Sequence, residues 1–544
     1  MNVSESVHAS QARNVSGARN VSGARNVSGA GNAAEVGHPR RWQILAVLSL
    51  NLVIVVAANS GLNVALPSLV REYGASHAQL QWIVDAYPLV FAPLLITAAA
   101  VGDRFGRKGV MQAGLALYAA ANVVAAFTHA PGWLAVLRGV MGVGGAMVMP
   151  ATLSLLTSVF GPAQRPRAIA VWAGFAGAGA AIGPLASGLL LEHFRVASVF
   201  WVQVPLALVA LGLGAVLVPT ARDARVRRFD LAGSLLSLIG IGLLVGAVIE
   251  APERGCTDPL VLGGLGGAAV VLALFGRQQR RADHPMLPLV RLRDRGLSTG
   301  AAVIAMLYFV IFGLFFVGTS YFQFVLGYSP LQAGAASLPL AVATLIGAPL
   351  GDRLAGRWPR RVVVAVGLAT VAGASLMFTL FDSSTPYLPI AAALAVFGLG
   401  MGLATPSLTV AILRPFPDAE HGVGSAVNDL ARELGGSLGV AVMGSVLAAG
   451  YRVAIPGPVA GWPEEAMDGA RRSIGEALEV ATHLPPDLGG LLAAGARDAF
   501  LAGMRPALVT GVAILLLGVA LVLRRLDRAP APDSALAAPA GRPG

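Results

Sequence analysis

Charged residues and cysteine are both scarce in this chain. Only 12% of its 544 residues are Asp, Glu, Lys or Arg, whereas 56% are hydrophobic. A soluble protein of this length needs many more charges to cover the surfaces of its domains. The single cysteine, Cys256, excludes an internal disulfide. The composition therefore indicates an integral membrane protein.

Sequence patterns for nucleotide and metal chemistry are also missing. No Gly-x-x-x-x-Gly-Lys-Ser/Thr segment occurs, so ATP is not expected to drive the protein. The eight histidines are scattered, and none stands at ligand spacing from the cysteine or from carboxylates, so no metal site is expected. We predict no catalytic residues, no enzyme activity and no bound cofactor.

The excess of positive charge is explained by the orientation of the protein in a membrane. The formal net charge is +11, which is compatible with a nucleic-acid partner. However, the arginines lie in short segments between long apolar stretches and do not form one basic face. Short loops rich in Arg and Lys stay on the cytoplasmic side of a membrane. We therefore predict that the basic segments orient the protein and that it has no nucleic-acid partner.

The apolar stretches predict an all-α membrane protein with fourteen spans. A bilayer-crossing helix needs about 20 mostly apolar residues. The even number of spans and the basic segments together predict that both termini are cytoplasmic. Spans 1 to 14 are expected at 44–66, 80–101, 110–128, 133–156, 167–191, 199–217, 231–250, 259–276, 298–320, 332–352, 361–380, 387–410, 422–446 and 503–524.

Composition also predicts how the chain is divided. The first residues repeat the hexapeptide Ala-Arg-Asn-Val-Ser-Gly, which is too polar to bury a core and is expected to be disordered. A short amphipathic helix is expected near 464–482. The predicted divisions are a cytoplasmic tail at 1–41, a six-helix bundle at 42–220, two inserted helices with basic linkers at 221–296, a second six-helix bundle at 297–526 with an outer segment at 447–502, and a tail at 527–544.

Five segments resemble the major facilitator superfamily, in particular its fourteen-span drug:H⁺ antiporter group. They are Leu62–Pro67, Gln81–Tyr87 with the following loop Gly102–Lys108, Leu134–Gly142, Gly179–Gly188 and Leu326–Gly334. Each segment alone is a weak signal, but their order and depth together are specific. The resemblance implies a major facilitator fold of two six-helix bundles with two inserted helices. It also implies proton-driven export of a small amphiphilic organic compound from the cell.

The loop between spans 2 and 3 is expected to act as a cytoplasmic gate. Asp103 and Arg107 are four residues apart and can pair along one helical turn. Asp103 can also face the positive N-terminal end of another helix. The alternative is that the basic residues serve only to orient the chain. The predicted gating residues are Gly102, Asp103, Arg104, Gly106, Arg107 and Lys108.

Span 5 carries the feature that implies export. In the resembled family this segment is associated with antiporters and lies between the two halves, whereas close helix packing alone is the alternative. The family's paired glycine is replaced here by Ser187-Gly188. The matching residues are Gly179, Gly183, Pro184 and Gly188.

Charged side chains within the membrane are costly and are candidates for proton coupling. Asp85 in span 2 and Arg138 in span 4 lie near the outer side, while Asp429 and Arg432 lie in the inner half of span 13. A fixed Asp85–Arg138 pair, and mutual neutralisation of Asp429 and Arg432, are the structural alternatives. Many members of the group have an aspartate where this chain has Ala58. Without that carboxylate, either Asp85 carries the proton instead, or the substrate is neutral or anionic.

The remaining predictions concern the substrate path and the surroundings. We expect a lipid-embedded monomer in the cytoplasmic membrane, with protons and a small molecule as its partners. Alternatives are an uptake carrier for a nutrient or metabolite, and a membrane receptor or scaffold that transports nothing. Candidate cavity residues are Asn59, Asn63, Trp82, Tyr87 and Gln323.

Overall fold

The computed structural model describes most of the chain between residues 38 and 526. The described residues are 38–73, 77–220, 230–255, 257–282, 285, 291–417, 420–455, 470–471 and 473–526. The two predicted tails therefore lie almost entirely outside the described residues, as do the basic linker 221–229 and most of the linker that precedes span 9.

Among the described residues, fourteen helices are long and apolar enough to cross a membrane, which confirms the predicted fold class. Spans 1 to 7 lie in the helices Arg41–Tyr73, His77–Phe105, Arg107–Phe127, Pro131–Val159, Arg165–His193, Ala197–Leu217 and Leu231–Arg254. Spans 8 to 14 lie in the helices Pro259–Arg281, Arg295–Ser320, Leu331–Arg357, Arg360–Phe378, Tyr387–Leu413, His421–Ala454 and Pro486–Arg525.

Several helix ends follow directly from local sequence. Asp230, Asp258 and Asp294 cap the N-termini of spans 7, 8 and 9, each accepting a backbone N–H bond at 2.8–2.9 Å. Span 2 continues through Asp103 to Phe105 and stops at Gly106, whose φ of 111° favours glycine. The predicted gating loop is therefore mostly the last turn of a helix.

The spans pack as two groups joined at an interface. Spans 1 to 6 pack mainly on one another, through the pairs 2–4, 1–5 and 3–4. Spans 9 to 14 do the same, through the pairs 10–12, 9–13 and 11–12. We call these groups the N half and the C half. They meet where span 5 packs on spans 10 and 12, and where spans 2 and 4 pack on span 13.

The two inserted helices lie at the edge of this assembly. Span 7 contacts spans 2 and 13, and so touches both halves, while span 8 packs mainly on span 7. Span 8 is the least buried of the fourteen spans found among the described residues. Its exposed apolar side chains include Leu262 and Val270, as expected for a surface that faces lipid.

The segment between spans 13 and 14 is largely helical where it is described. Span 13 extends to Ala454, span 14 begins at Pro486, and a short helix covers Ile474–His483. The predicted amphipathic helix at 464–482 overlaps this helix, but residues 456–469 and 472 lie outside the described residues. Arg497 donates a hydrogen bond to the Phe324 carbonyl at 3.3 Å, which ties the segment to the C-terminal end of span 9.

Candidate functional site

We call the end of the molecule that carries Asp103 and Arg107 the inner end, and the opposite end the outer end, following the predicted orientation. The Nε of Arg107 donates to the Asp103 carboxylate at 2.8 Å. A Cβ built on Gly422, in the first turn of span 13, would lie only 2.6 Å from Oδ1 of Asp103. The carboxylate therefore lies against the N-terminal end of a helix in the C half, where the helix dipole favours negative charge. A side chain at position 422 would displace it.

A second polar contact joins the halves beside the first one. Nδ1 of His421, at the start of span 13, lies 2.9 Å from Oγ1 of Thr157 in span 4. Glu420, which precedes span 13, forms an ion pair with Arg291, and Arg291 also lies over the Phe416 ring at 5.3 Å. The N-terminus of span 13 is thus held from both halves at the inner end.

The other gating residues lie around this contact. The guanidinium of Arg104 is exposed and lies 5.2 Å from the centre of the Phe105 ring. Lys108 donates to the carbonyl of Ala215 at 2.7 Å, near the C-terminal end of span 6. Gly102 lies in the last turns of span 2. Lys108 thus links span 3 to span 6 within the N half, whereas Asp103 reaches span 13.

Arg138 is buried inside the N half, with 2% of its surface exposed. Its Nε donates to the carbonyl of Ile83 at 3.1 Å, and its Nη2 donates to Oδ1 of Asn59 at 2.9 Å. The guanidinium also lies 4.7 Å from the centre of the Tyr87 ring. Span 1 therefore contributes one partner and span 2 contributes two, so this cation on span 4 links three helices of the same half.

The remaining predicted cavity and coupling residues of the N half are Asp85, Asn63 and Trp82. The side chains of Asp85 and Asn63 lie outside what the structure describes. On span 2, position 85 lies about half a helical turn away from Ile83 and Tyr87, which face Arg138. Trp82 is 54% exposed.

Arg432 is equally buried, with 3% of its surface exposed, but it lies between the halves. Its guanidinium is 5.1 Å from the centre of the Tyr308 ring in span 9 and 5.3 Å from that of Trp172 in span 5. Nη1 lies 4.0 Å from the Asp429 carboxylate, and Nη2 lies 3.5 Å from Oγ1 of Thr409. Its polar contacts are therefore long, and its aromatic contacts come from both halves.

The acids around Arg432 form a small network on span 13. Asn428 donates to Oδ1 of Asp429 at 3.1 Å and accepts from Thr409 at 3.1 Å. Oδ2 of Asp429 has no hydrogen-bond partner among the described residues. Glu433 lies within electrostatic range of both Asp429 and Tyr87, and Tyr87 belongs to the N half. Two acids and one arginine thus occupy the inner half of the interface.

Sequence reasoning did not identify Trp172, Tyr308, Asn428 or Thr409, because nothing in their local sequence indicates that these side chains meet. It also overlooked Asp352, which a sequence signal reveals. Gly351-Asp352-Arg353 in span 10 repeats the Gly102-Asp103-Arg104 triplet of span 2. Asp352 lies within electrostatic range of Arg167, near the inner end of span 5. The two halves thus each place an aspartate near the other half at the inner end.

The glycine motif of span 5 contacts both span 1 and span 10. A Cβ on Gly183 would overlap the carbonyl of Ala57 in span 1. A Cβ on Gly188 would lie 3.0 Å from the backbone of Leu331, at the start of span 10. Gly179 is less confined, since its nearest backbone atom, in Val53, would be 3.3 Å away. Pro184 follows Gly183 within the helix. Span 5 therefore packs closely on its own half and also on the other half.

Gln323 lies at the outer end of span 9. It belongs to a single π-helical turn, Tyr321–Val325, and its side chain is half-buried. Single π-helical turns are frequent at functional sites. The hydroxyl of Tyr321 in the same turn donates to the carbonyl of Asp382 at 2.7 Å, which ties this end of span 9 to the loop between spans 11 and 12.

A family model described as the Major Facilitator Superfamily matches residues 48–440. The chain belongs to this family. It is therefore a multi-pass membrane transporter and not an enzyme. Carriers of this superfamily move small molecules across the membrane, and the two halves and their interface are consistent with that role.

Similar proteins extend over nearly the whole chain. It is 36% identical to the multidrug efflux pump LfrA of Mycolicibacterium smegmatis, covering 89% of this chain and 96% of the relative. It is 33% identical to the methyl viologen resistance protein SmvA of Salmonella typhimurium, covering 88% and 97%. It is 31% identical to the tetracenomycin C resistance and export protein of Streptomyces glaucescens, covering 92% and 96%.

Solved structures support the fold. The human organic anion transporter MFSD10 aligns with a TM-score of 0.58 at 15% identity, covering 89% of this chain and all of that chain. A bacterial homologue of the lysosomal transporter Spinster, in an inward-facing and unoccupied conformation, aligns with a TM-score of 0.56 at 17% identity, covering 90% and 99%.

Proposed function

We propose that this protein is a proton-driven antiporter that exports a small amphiphilic organic compound across the cytoplasmic membrane. Its relatives are named for multidrug efflux, methyl viologen resistance and antibiotic export, and they match over most of their length. The span 5 glycines, which the family resemblance associates with antiporters, lie between spans 1 and 10. Both termini are proposed to be cytoplasmic, so that the inner end faces the cytoplasm.

One observation supports alternating access most strongly. Three contacts between the halves gather along the inner half of span 13: Asp103 against Gly422, Thr157 with His421, and the Trp172 ring with Arg432. Opening the molecule towards the cytoplasm requires all three to separate, whereas Gly188 of span 5 packs on Leu331 of span 10 towards the outer end. Rocking of the two halves about a central site would break one set while the other holds.

Proton coupling requires an acid that gains and loses a proton during the cycle. The sequence favours Asp85, because position 58 is alanine. The described contacts favour Asp429 and Glu433, because these acids lie beside Arg432 at the interface and neighbour the N half. We therefore propose the two span 13 acids as the proton-binding pair and retain Asp85 as the alternative.

The test is export by a pump-deficient bacterium that expresses the chain, across a panel of dyes and antibiotics. At least one toxic compound should accumulate less than in the empty-vector strain. Collapse of the proton gradient by an uncoupler should restore its accumulation. Increased accumulation of a compound would indicate uptake, and export that persists after collapse of the gradient would exclude proton drive.

A further inference from the structure

Arg432 makes a contact that the proposed antiport cycle does not yet explain. Its side chain starts on span 13 in the C half, yet its guanidinium lies 5.3 Å from the ring of Trp172 in the N half. Trp172 is fully buried in the inner half of span 5. A cation over an indole ring is held by electrostatic attraction that strengthens when both groups are desolvated. This contact must therefore separate whenever the inner end opens.

The hydrogen bonds of Arg432 are too few and too long to fix the position of its guanidinium. Its Nε has no hydrogen-bond partner among the described residues, and its other polar contacts are the long ones to Asp429 and Thr409. Such an arginine is retained in a membrane interior mainly by nearby negative charge. The charged groups in range are Asp429 and Glu433 on its own helix, and the titratable groups facing it are Tyr308 of span 9 and, beside Glu433, Tyr87 of span 2.

We propose that Trp172 and Arg432 form a clasp that holds the inner gate closed while the acids beside Arg432 are ionised. When a proton neutralises Asp429 or Glu433, Arg432 loses negative charge that favours its buried position. The guanidinium then leaves Trp172 for the aqueous inner opening, and the halves separate. Arg432 is thus a positioning residue that converts protonation into opening. This inference rests on the proposed antiport function and adds to it the residue that transmits the signal.

This sequence of events fits the direction of exchange. A proton that arrives from outside favours opening inwards, where it is released. The ionised acids then draw Arg432 back towards Trp172 once substrate has bound from the cytoplasm. No covalent step is involved, since only the proton and the guanidinium change place.

The inner opening can be measured as a distance between two spin labels. Ala163 follows span 4 in the N half, Pro417 follows span 12 in the C half, and both are exposed at the inner end. Cys256 is the only cysteine, so Cys256→Ser supplies a cysteine-free background for labels at Ala163→Cys and Pro417→Cys. The labelled protein should show mainly the short distance at pH 8 and a larger long-distance population at pH 5.5.

Trp172→Leu should increase the ratio of open to closed molecules about tenfold at pH 8 and make this ratio nearly independent of pH. Trp172→Phe, which keeps an aromatic face, should restore much of the pH dependence. Arg432→Lys keeps the charge but loses the planar guanidinium and should behave like Trp172→Leu. If the leucine variant does not fold, the phenylalanine and lysine variants decide the question.

The matched control is Trp201→Leu. The Trp201 ring lies 5.2 Å from that of Phe127 in span 3, and both residues belong to the N half, so this substitution should leave the distances and their pH dependence unchanged. Wild-type distances in Trp172→Leu at both pH values, or equal effects of the two tryptophan substitutions, would overturn the clasp. Failure of the proposed antiport function would give a different result. In that case the wild-type protein itself would export no compound when a proton gradient is imposed.

Discussion

Arg138 and Arg432 are both buried arginines within the membrane, and the structure holds them in different ways. Arg138 has two good hydrogen bonds and one ring contact, all from spans 1 and 2 of its own half. Arg432 has long polar contacts and two ring contacts, one of which comes from the other half. The first arrangement links helices within one bundle, and the second lies where the proposed cycle separates the two bundles.

The contrast suggests that contacts within one half and contacts between the halves have different roles. Contacts within one half, such as Asn59 with Arg138, should set the stability of the scaffold. Contacts across the halves, such as Asp103 with span 13 and Arg432 with Trp172, should set the transport cycle with little effect on folding. Substitutions of the two kinds should therefore separate in a plot of export against melting temperature.

The largest expected effect is on proton coupling. Asp429→Asn should abolish substrate-driven proton movement in proteoliposomes while substrate binding remains, because the neutral side chain cannot exchange a proton. Asp85→Asn should keep a substantial part of the coupled proton movement. If Asp85→Asn loses coupling and Asp429→Asn retains it, the proton site lies in the N half, as the sequence alone suggests.

The next effect is at the inner end. Asp103→Asn and Arg107→Ala should each lower export about tenfold or more, because the carboxylate no longer faces the N-terminus of span 13 correctly. Membrane insertion and melting temperature should change little. Arg40→Ala removes an exposed charge at the same end and serves as the control. Full export by both loop variants would show that the loop only orients the protein in the membrane and does not act as a gate.

Arg138→Lys should affect stability as well as export. Lysine keeps the charge but cannot reach Ile83, Asn59 and the Tyr87 face together, so we expect about 2 kcal/mol of destabilisation. Thermal unfolding in detergent would measure it, with the exposed Arg195→Lys as the control. A normal melting temperature together with lost export would place Arg138 in the cycle and remove the contrast with Arg432.

The smallest effects compare one partner of each arginine. Asn59→Leu removes a 2.9 Å bond to a buried cation and should cost about 1.5–3 kcal/mol. Thr409→Val removes a 3.1 Å bond to Asn428 and a 3.5 Å contact to Arg432, and should cost about 1 kcal/mol or less. Equal destabilisation by both substitutions, in the same unfolding assay, would show that the two arginines are held with similar strength.

The fold could be predicted from the sequence because its main determinants are local. An apolar stretch of about 20 residues identifies a span wherever it occurs. The pairing of Asp103 with Arg107 follows from their spacing on one helical turn. The repeat of Gly-Asp-Arg at 351–353 is also a local signal, and it marks Asp352 as the counterpart of Asp103.

The site could not be predicted in the same way. Trp172, Tyr308 and Arg432 come from three spans whose contacts depend on how the halves dock, and no local pattern determines that. The face of span 2 towards Arg138 is also a tertiary property, since depth in the membrane alone does not determine that Ile83 and Tyr87 contact this arginine. Only the structure shows that several contacts between the halves lie on span 13.

The central claim is that a proton gradient drives export through this protein. The most direct measurement uses proteoliposomes that contain the purified chain, a substrate identified by the resistance panel and an imposed pH gradient. Substrate should accumulate inside acid-loaded vesicles, protons should leave at the same time, and an uncoupler should abolish both. Substrate movement that is unaffected by the gradient, with no accompanying proton flux, would contradict the account.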